Sequence, residues 1–354
     1  MTLKTVCDLR TEAARAAQEK YRIPKMETDH RKVLADPEID AVLIATRESE
    51  HAGLTIEALR AGKHVYVEKP LAETSEACRA IVRAQEESGR HVAVGFNRRF
   101  APAYRKAKDI IDTHGGAWNI YYRIADWYSF MWGKDYPPGQ RVFHEVCHIF
   151  DVLRFLVGSE AKSIYCAASR ADDELLVLRF ASGPVAAIMS SGHVTVDMPK
   201  ESLEVITKRG GLTVENFVEL RTYGLPDVET CYRFPGHVHP DFDFTHRWLY
   251  GELGAEAMRA ICSERFWLKY APQLGMTRPG DPIEQTLARE YAEHHAPQAS
   301  YDVDKGWLHA VDHFAECIAT GRTPENAGAG DGLAAQQLAE AAARSRQTGH
   351  VVDL

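Results

Sequence analysis

Apolar and polar residues follow two alternating periods along the first hundred positions. Short apolar runs, "LKTVCD" (residues 3–8), "DAVLIAT" (40–46), "HVYVEK" (64–69) and "HVAVGFN" (91–97), have the composition of β-strands. Between them lie "RTEAARAAQEKY" (10–21), "HAGLTIEALRAG" (51–62) and "TSEACRAIVRAQEESG" (74–89), which read as helices. Gly62 closes the second, and Thr74 and Gly89 open and close the third. Strands alternating with helices predict right-handed crossovers and a parallel sheet covered on both faces, an α/β doubly wound domain over residues 1–98. In such a sheet, ligands sit outside the carboxyl ends of the strands. Asp8, Thr46, Glu68, Lys69 and Asn97 all fall there.

The rhythm changes after "APAYRKAKDIIDTHGG" (101–116). A series of strand-like runs follows, from "WNIYYRIAD" (118–126) to "VELRTYG" (218–224), with hairpin breaks at "SGP" (182–184) and "KRGG" (208–211). One helix, "EVCHIFDVLRFLVG" (145–158), interrupts them. The pattern predicts an α+β domain over residues 99–354 with an open, largely antiparallel sheet. Residues 234–300, rich in His, Pro and aromatics, show no clear period and read as an insertion over a site or at a subunit contact. Two amphipathic helices, "GWLHAVDHFAECIATG" (306–321) and "DGLAAQQLAEAAARSRQTG" (331–349), close the pattern. The exposed face of an open sheet is apolar and has to be covered, so a homodimer or homotetramer is expected.

Composition narrows the function classes. The chain has 354 residues, enough for two cores. Lys and Arg number 42 against 50 Asp and Glu, and no basic cluster offers a seat for a phosphate backbone, which argues against nucleic acid as a partner. No run of apolar residues is long enough to span a membrane, and "MTLKTVCDLR" lacks the apolar core of a signal peptide; a soluble, cytoplasmic protein is expected. Cys7, Cys78, Cys147, Cys166, Cys231, Cys262 and Cys317 are scattered and never form C-x-x-C, which argues against a disulfide framework or a thiolate zinc site.

Lys69, in "HVYVEKP", carries the sharpest chemical signal. A lysine at a strand's carboxyl end is rigidly placed, and a low-dielectric crevice would favour proton exchange near neutrality. Glu68 beside it can orient the ammonium or hydrogen-bond a cofactor, and Pro70 fixes the chain where it leaves the sheet, with a cis bond as one way of doing so. The plainer alternative is a solvated Glu-Lys step.

Taken together, "AVLIATRESEHAGLTIEALRAGKHVYVEKPLAET", "HVAVGFNRRFAPAYRK", "HEVCHIFDVLRFLVG" and "GWLHAVDHFAECIATGRTP" resemble the Gfo/Idh/MocA oxidoreductases, whose hallmark is Glu68-Lys69-Pro70. Thr46-Arg47 before His51, and Glu145-x-x-His148, add to the likeness. The resemblance implies a Rossmann-like first domain and hydride transfer between a nicotinamide cofactor and a secondary alcohol of a sugar, inositol or glycoside. It implies that Lys69 bonds the reacting hydroxyl and that His148 takes its proton, with His144 and Glu145 beside it. Thr46, Arg47, His51, Glu68, Lys69, Pro70 and Asn97 would line the cofactor. Asp8 stands where an acid would bond the adenosine ribose, which favours NAD over NADP; its alternative is a helix N-cap. For His148 the alternative is a satisfied histidine on a half-buried helix.

The sequence departs from the family in two places. The family's Gly-x-Gly-x-x-Gly turn lies between a first strand and first helix, and only seven residues precede Asp8. Loss of that central strand would remove the pyrophosphate cradle and split the sheet; a shortened start is the favoured explanation. In the second departure, His144 replaces a common Asp and makes "HEVCH", an H-E-x-x-H string of the zinc-binding kind. Asp151 and Arg154 stand where a metzincin needs Gly and His, so no residue is assigned to a metal. "GHVHPDFDFTH", with His237, His239, Asp241, Asp243 and His246, reads more readily as a solvated or substrate-facing loop than as a metal site. "DWYSFMWG" (126–133) offers aromatic faces for a sugar ring or for burial. Two rival functions stand beside the dehydrogenase: a glycoside-cleaving enzyme that uses tightly bound NAD transiently, and a cofactor-free binding protein.

Overall fold

A computed structural model describes residues 2–126, 137, 139–169, 173–193, 198–234 and 303–354. The chain packs as two units. The first comprises Met1–Phe100, Phe150–Val152 and Gly306–Glu340; the second comprises Ala101–Ile149, Leu153–Lys305 and Ala341–Leu354.

The first unit runs β1 (Thr5–Cys7), α1 (Thr11–Tyr21), β2 (Lys25–Glu27), α2 (His30–Ala35), β3 (Ala41–Ile44), α3 (Glu48–Arg60), β4 (His64–Val67), α4 (Ser75–Ser88) and β5 (Val92–Val94). Every paired strand is parallel, but the strands form two sheets, β1–β2 and β3–β4–β5. The division falls where a doubly wound sheet has its central strand. Side chains tie the two pieces: Lys4 pairs with Glu38 and Asp36, Lys25 with Asp36, and the Lys63 ammonium donates to the Asp36 carbonyl at 2.7 Å. The turn containing β2 and α2 is too short and polar to show a period. Its helix is fixed by the Asp29 carboxylate, which accepts from the Arg31 amide.

Local chemistry explains the better-formed elements. Thr74 accepts from the Ala77 amide to open α4, Gly89 ends it at φ +63°, and Ser75, Cys78, Ile81 and Ala84 form its buried stripe. Val65, Tyr66 and Val67 are all buried, as a central parallel strand covered on both faces requires. Tyr66, Ala93 and Phe100 share a core with Ala310 and Phe314 of α7 (Trp307–Thr320), the Tyr66 and Phe314 rings meeting edge-on at 5.9 Å. The outer side of β5 is closed by the Val94 amide donating to the Ala327 carbonyl at 2.8 Å. Beyond it begins α8 (Ala329–Thr348).

The second unit contains α5 (Pro102–Thr113), β6 (Ala117–Ala125), α6 (Cys147–Val157), β7 (Ala161–Ala168), β8 (Glu174–Phe180), β9 (Val185–Ser191), β10 (Glu201–Thr207), β11 (Gly211–Glu215), β12 (Glu219–Tyr223), β13 (Cys231–Arg233) and β14 (Val352–Asp353). One nine-stranded sheet orders them β13-β12-β11-β10-β6-β9-β8-β7-β14. It is mixed: β6 and β9 pair in parallel, and the other pairs are antiparallel. The sheet is thus largely antiparallel, as expected, and its one parallel pair joins strands that are distant in sequence. One face buries Ile120, Ile124, Leu176, Leu178 and Ile188; the other exposes Tyr165, Leu175 and Val177.

The expected helix over 145–158 also changes form. It opens as a π-helical turn, Val142–Val146, and becomes α-helical at Cys147. The histidine-rich loop around His237–His246, Cys262 and the aromatic run 127–133 lie outside the described residues.

Candidate active site

In the first unit, parallel register gathers the chemistry. Ile44 pairs with Val67 and Val67 with Val94, so the segments carrying Thr46, Glu68–Lys69 and Asn97 leave adjacent strands at their carboxyl ends. The ladder extends one step further, with the Glu68 amide donating to Ile44 and the Gly95 amide to Val67. Glu68 turns back over this end. Its carboxylate accepts from the Lys69 amide at 3.2 Å, and a Cβ on Gly95 would stand 2.8 Å from its Oε2, so only glycine leaves room for it. Glu68 and Lys69 are half-buried, and the Lys69–Pro70 bond is cis.

The expected cofactor residues take different places. Buried His51 hydrogen-bonds the Pro70 carbonyl through Nδ1 at 2.7 Å and approaches the Thr46 carbonyl through Nε2 at 3.3 Å, thereby linking the turns after β3 and β4. Thr46 and Arg47 are exposed at the start of α3, whereas Asn97 is wholly buried. Asp8 follows β1 in the separate two-stranded sheet. Its carboxylate accepts from the Arg10 amide at 2.8 Å, two residues on, but Arg10 rather than Asp8 occupies the position before α1, and it makes no side-chain capping bond.

A buried anchor lies close by in the same unit. Arg99 grips Asp151 with two hydrogen bonds of 2.8 and 2.6 Å and reaches Asp331 at 2.9 Å, while Asp331 caps the Gly328 amide. Burial alone would lower the Arg99 pKa, but the two carboxylates outweigh it and raise it.

In the second unit, His144 and Glu145 lie in the π-turn and His148 in the first turn of α6; the first two are half-buried and His148 is buried. Glu145, which would activate water in a zinc peptidase, is engaged by Lys200 at 3.2 Å. The Lys200 ammonium lies 2.6 Å from Asp126, and Asp126 also takes Arg141 at 2.7 Å. Arg141 further donates to Ser190 at 2.9 Å. Desolvation would lower the Lys200 pKa, but Asp126, Glu145 and Glu201 together raise it above the ordinary lysine value. Sequence reading missed Lys200 and Arg141, since neither sits in a motif or period. Among the described residues, no three His, Cys, Asp or Glu side chains gather into a metal-holding group.

Residues 1–96 match a family model described as "Oxidoreductase family, NAD-binding Rossmann fold" (Gfo/Idh/MocA). Those residues belong to the Gfo/Idh/MocA oxidoreductase family. The chain is 36% identical to a scyllo-inositol 2-dehydrogenase (NAD(+)) of Bacillus subtilis, over 46% of this chain and 48% of that protein. It is 30% identical to an inositol 2-dehydrogenase of Salmonella paratyphi B, over 54% of this chain and 58% of that protein. The aligned part thus spans about half the length of these relatives. Among solved structures, the myo-inositol dehydrogenase of Lactobacillus casei, in complex with NAD(H) and myo-inositol, superposes with a TM-score of 0.68 at 22% identity, covering 100% of this chain and 89% of that one. The Gfo/Idh/MocA fold therefore extends through the mixed sheet as well as the Rossmann part. No helix among the described residues is long and apolar enough to cross a membrane.

Proposed function

We propose that the protein is an NAD-dependent dehydrogenase acting on a secondary alcohol of an inositol, sugar or glycoside. The observation that carries this reading is Lys69 beside Glu68 at the carboxyl end of the middle strand of β3–β4–β5. The hydroxyl of Thr46, the ammonium of Lys69, the carboxylate of Glu68 and the amide of Asn97 form a donor and acceptor set that suits the ribose hydroxyls and carboxamide of the nicotinamide half. Asp8 would accept from the adenosine ribose, which favours NAD over NADP. The sequence contains no Gly-x-Gly-x-x-Gly for the pyrophosphate, and no role is assigned there. When bound, NAD supplies the hydride acceptor.

The chain's own side chains handle the proton and the geometry. Lys69 donates to the reacting hydroxyl oxygen and stabilises the negative charge that grows on it. His148 takes the hydroxyl proton, and Glu68, braced on Gly95, orients the lysine. His51 holds the turn that ends in Pro70. The protein would work in the cytoplasm. Copies would pair through the exposed apolar face of the mixed sheet.

The test is NADH formation with a panel of inositols and sugars. Lys69→Ala is expected to lower kcat/KM by roughly 100- to 10,000-fold, the range for removing an acid–base group. An unchanged turnover would remove Lys69 from the chemistry.

A further inference from the structure

We propose that Lys200 is a positioning residue: by holding the Glu145 carboxylate against Asp126, it fixes the Val142–Val146 turn and thereby the placement of His148. The inference rests on the reading that His148 is the base. It assigns a role to Lys200, which lies outside any motif.

The network joins Lys200 and Arg141 to Asp126 and Glu145, with Glu201 also acting on Lys200, on a platform of neighbouring strands. Asp126 follows β6, Ser190 lies in β9, and Lys200 immediately precedes β10, and β6 pairs with both of the other strands. Backbone bonds close the same corner, from the Ala125 amide to Lys200 at 2.8 Å and from the Asp126 amide to Ser191 at 3.0 Å. The Arg141 guanidinium is fully buried and the Lys200 side chain is 14% exposed. The ion pairs therefore act with little screening.

The turn is attached to this platform at two points. Arg141, just before it, binds Asp126 and Ser190; Glu145, within it, binds Lys200. A π-helical turn is rarer than an α-turn and is found mostly where function holds it open. His148 is three residues beyond Glu145, in the first turn of α6, which continues directly from the π-turn. A shift of Glu145 would therefore carry through this short connection to the imidazole, and a catalytic group needs placement to within about half an ångström. The same pairing also withholds Glu145 from activating water, so within the H-E-x-x-H string Glu145 serves to position and His148 to take the proton.

The test separates this role from the function on which it rests. In Lys200→Met, kcat is expected to fall roughly 10- to 100-fold while KM stays within about threefold, the signature of a misplaced group rather than lost substrate binding. Lys200→Arg should restore most of the rate. Should the single variant fail to fold, Lys200→Met/Glu145→Gln removes one cation and one anion and keeps the Arg141–Asp126 pair; it should fold and show the same loss. A wild-type kcat in either variant overturns the proposal. A crystal structure of the double variant gives a readout independent of activity: a relaxed turn with His148 displaced is expected, and an unmoved turn and imidazole overturn the role even if the wild-type protein transfers no hydride to any polyol.

Discussion

The two units hold their strands together by different means. In the second unit, nine strands share one unbroken ladder, so backbone hydrogen bonds carry continuity from β13 to β14. In the first, no ladder joins β1–β2 to β3–β4–β5, and the connection falls to ion pairs on Asp36 and to packing by distant segments. A continuous sheet tolerates changes to single side chains on its open face. A divided one depends on particular residues, and those residues are the places to break it.

The largest stability effect is expected at Arg99. Arg99→Met would leave Asp151, which is 0% exposed, without its two-pronged partner, and losing one member of a buried pair costs about 3–5 kcal/mol. Urea denaturation should show this loss; a change below about 1 kcal/mol would mean that the anchor contributes little beyond an exposed pair.

A milder effect is expected on the continuous sheet. Val177→Lys puts a charge on the open face beside Leu175, which is 56% exposed, and should convert an oligomer to monomer in light scattering without changing the circular dichroism spectrum. A mass that does not change would show that copies associate elsewhere.

The smallest effect concerns His64, stacked on His91 at the amino ends of β4 and β5. Burial first, then the charges of His91 and Arg90, push its pKa from 6.5 down to about 4. Between those values the unfolded chain takes up a proton that the folded one refuses, so stability is fully present above 6.5 and declines as pH falls toward 4. His64→Gln should flatten that slope when urea midpoints are compared at about pH 7 and about pH 5. An identical slope in both proteins would place the titration on another group.

Much of this was legible in the sequence, for reasons tied to distance along the chain. β4, α4 and the Glu68–Lys69 step follow from local period, a Thr cap and a Gly stop, all within a few residues. The division of the parallel sheet was legible from the pattern before Asp8, where only seven residues precede the first acidic turn. The π-turn, Lys200 and the parallel pairing of β6 with β9 were not, because they depend on contacts between segments tens of residues apart. The return of Gly306–Glu340 to the first unit leaves no periodic trace either. Its helices look like any amphipathic helix until a neighbour is known.

That return bears on how the protein is made. Phe314 and Ala310 complete the core begun by Tyr66, Ala93 and Phe100, so the first unit cannot finish assembling until α7 has also been made. At ordinary rates of synthesis the wait is on the order of 10 to 40 s. Through that interval the apolar side of Tyr66, Ala93 and Phe100 stays uncovered, and the arrival of α7 is what closes it.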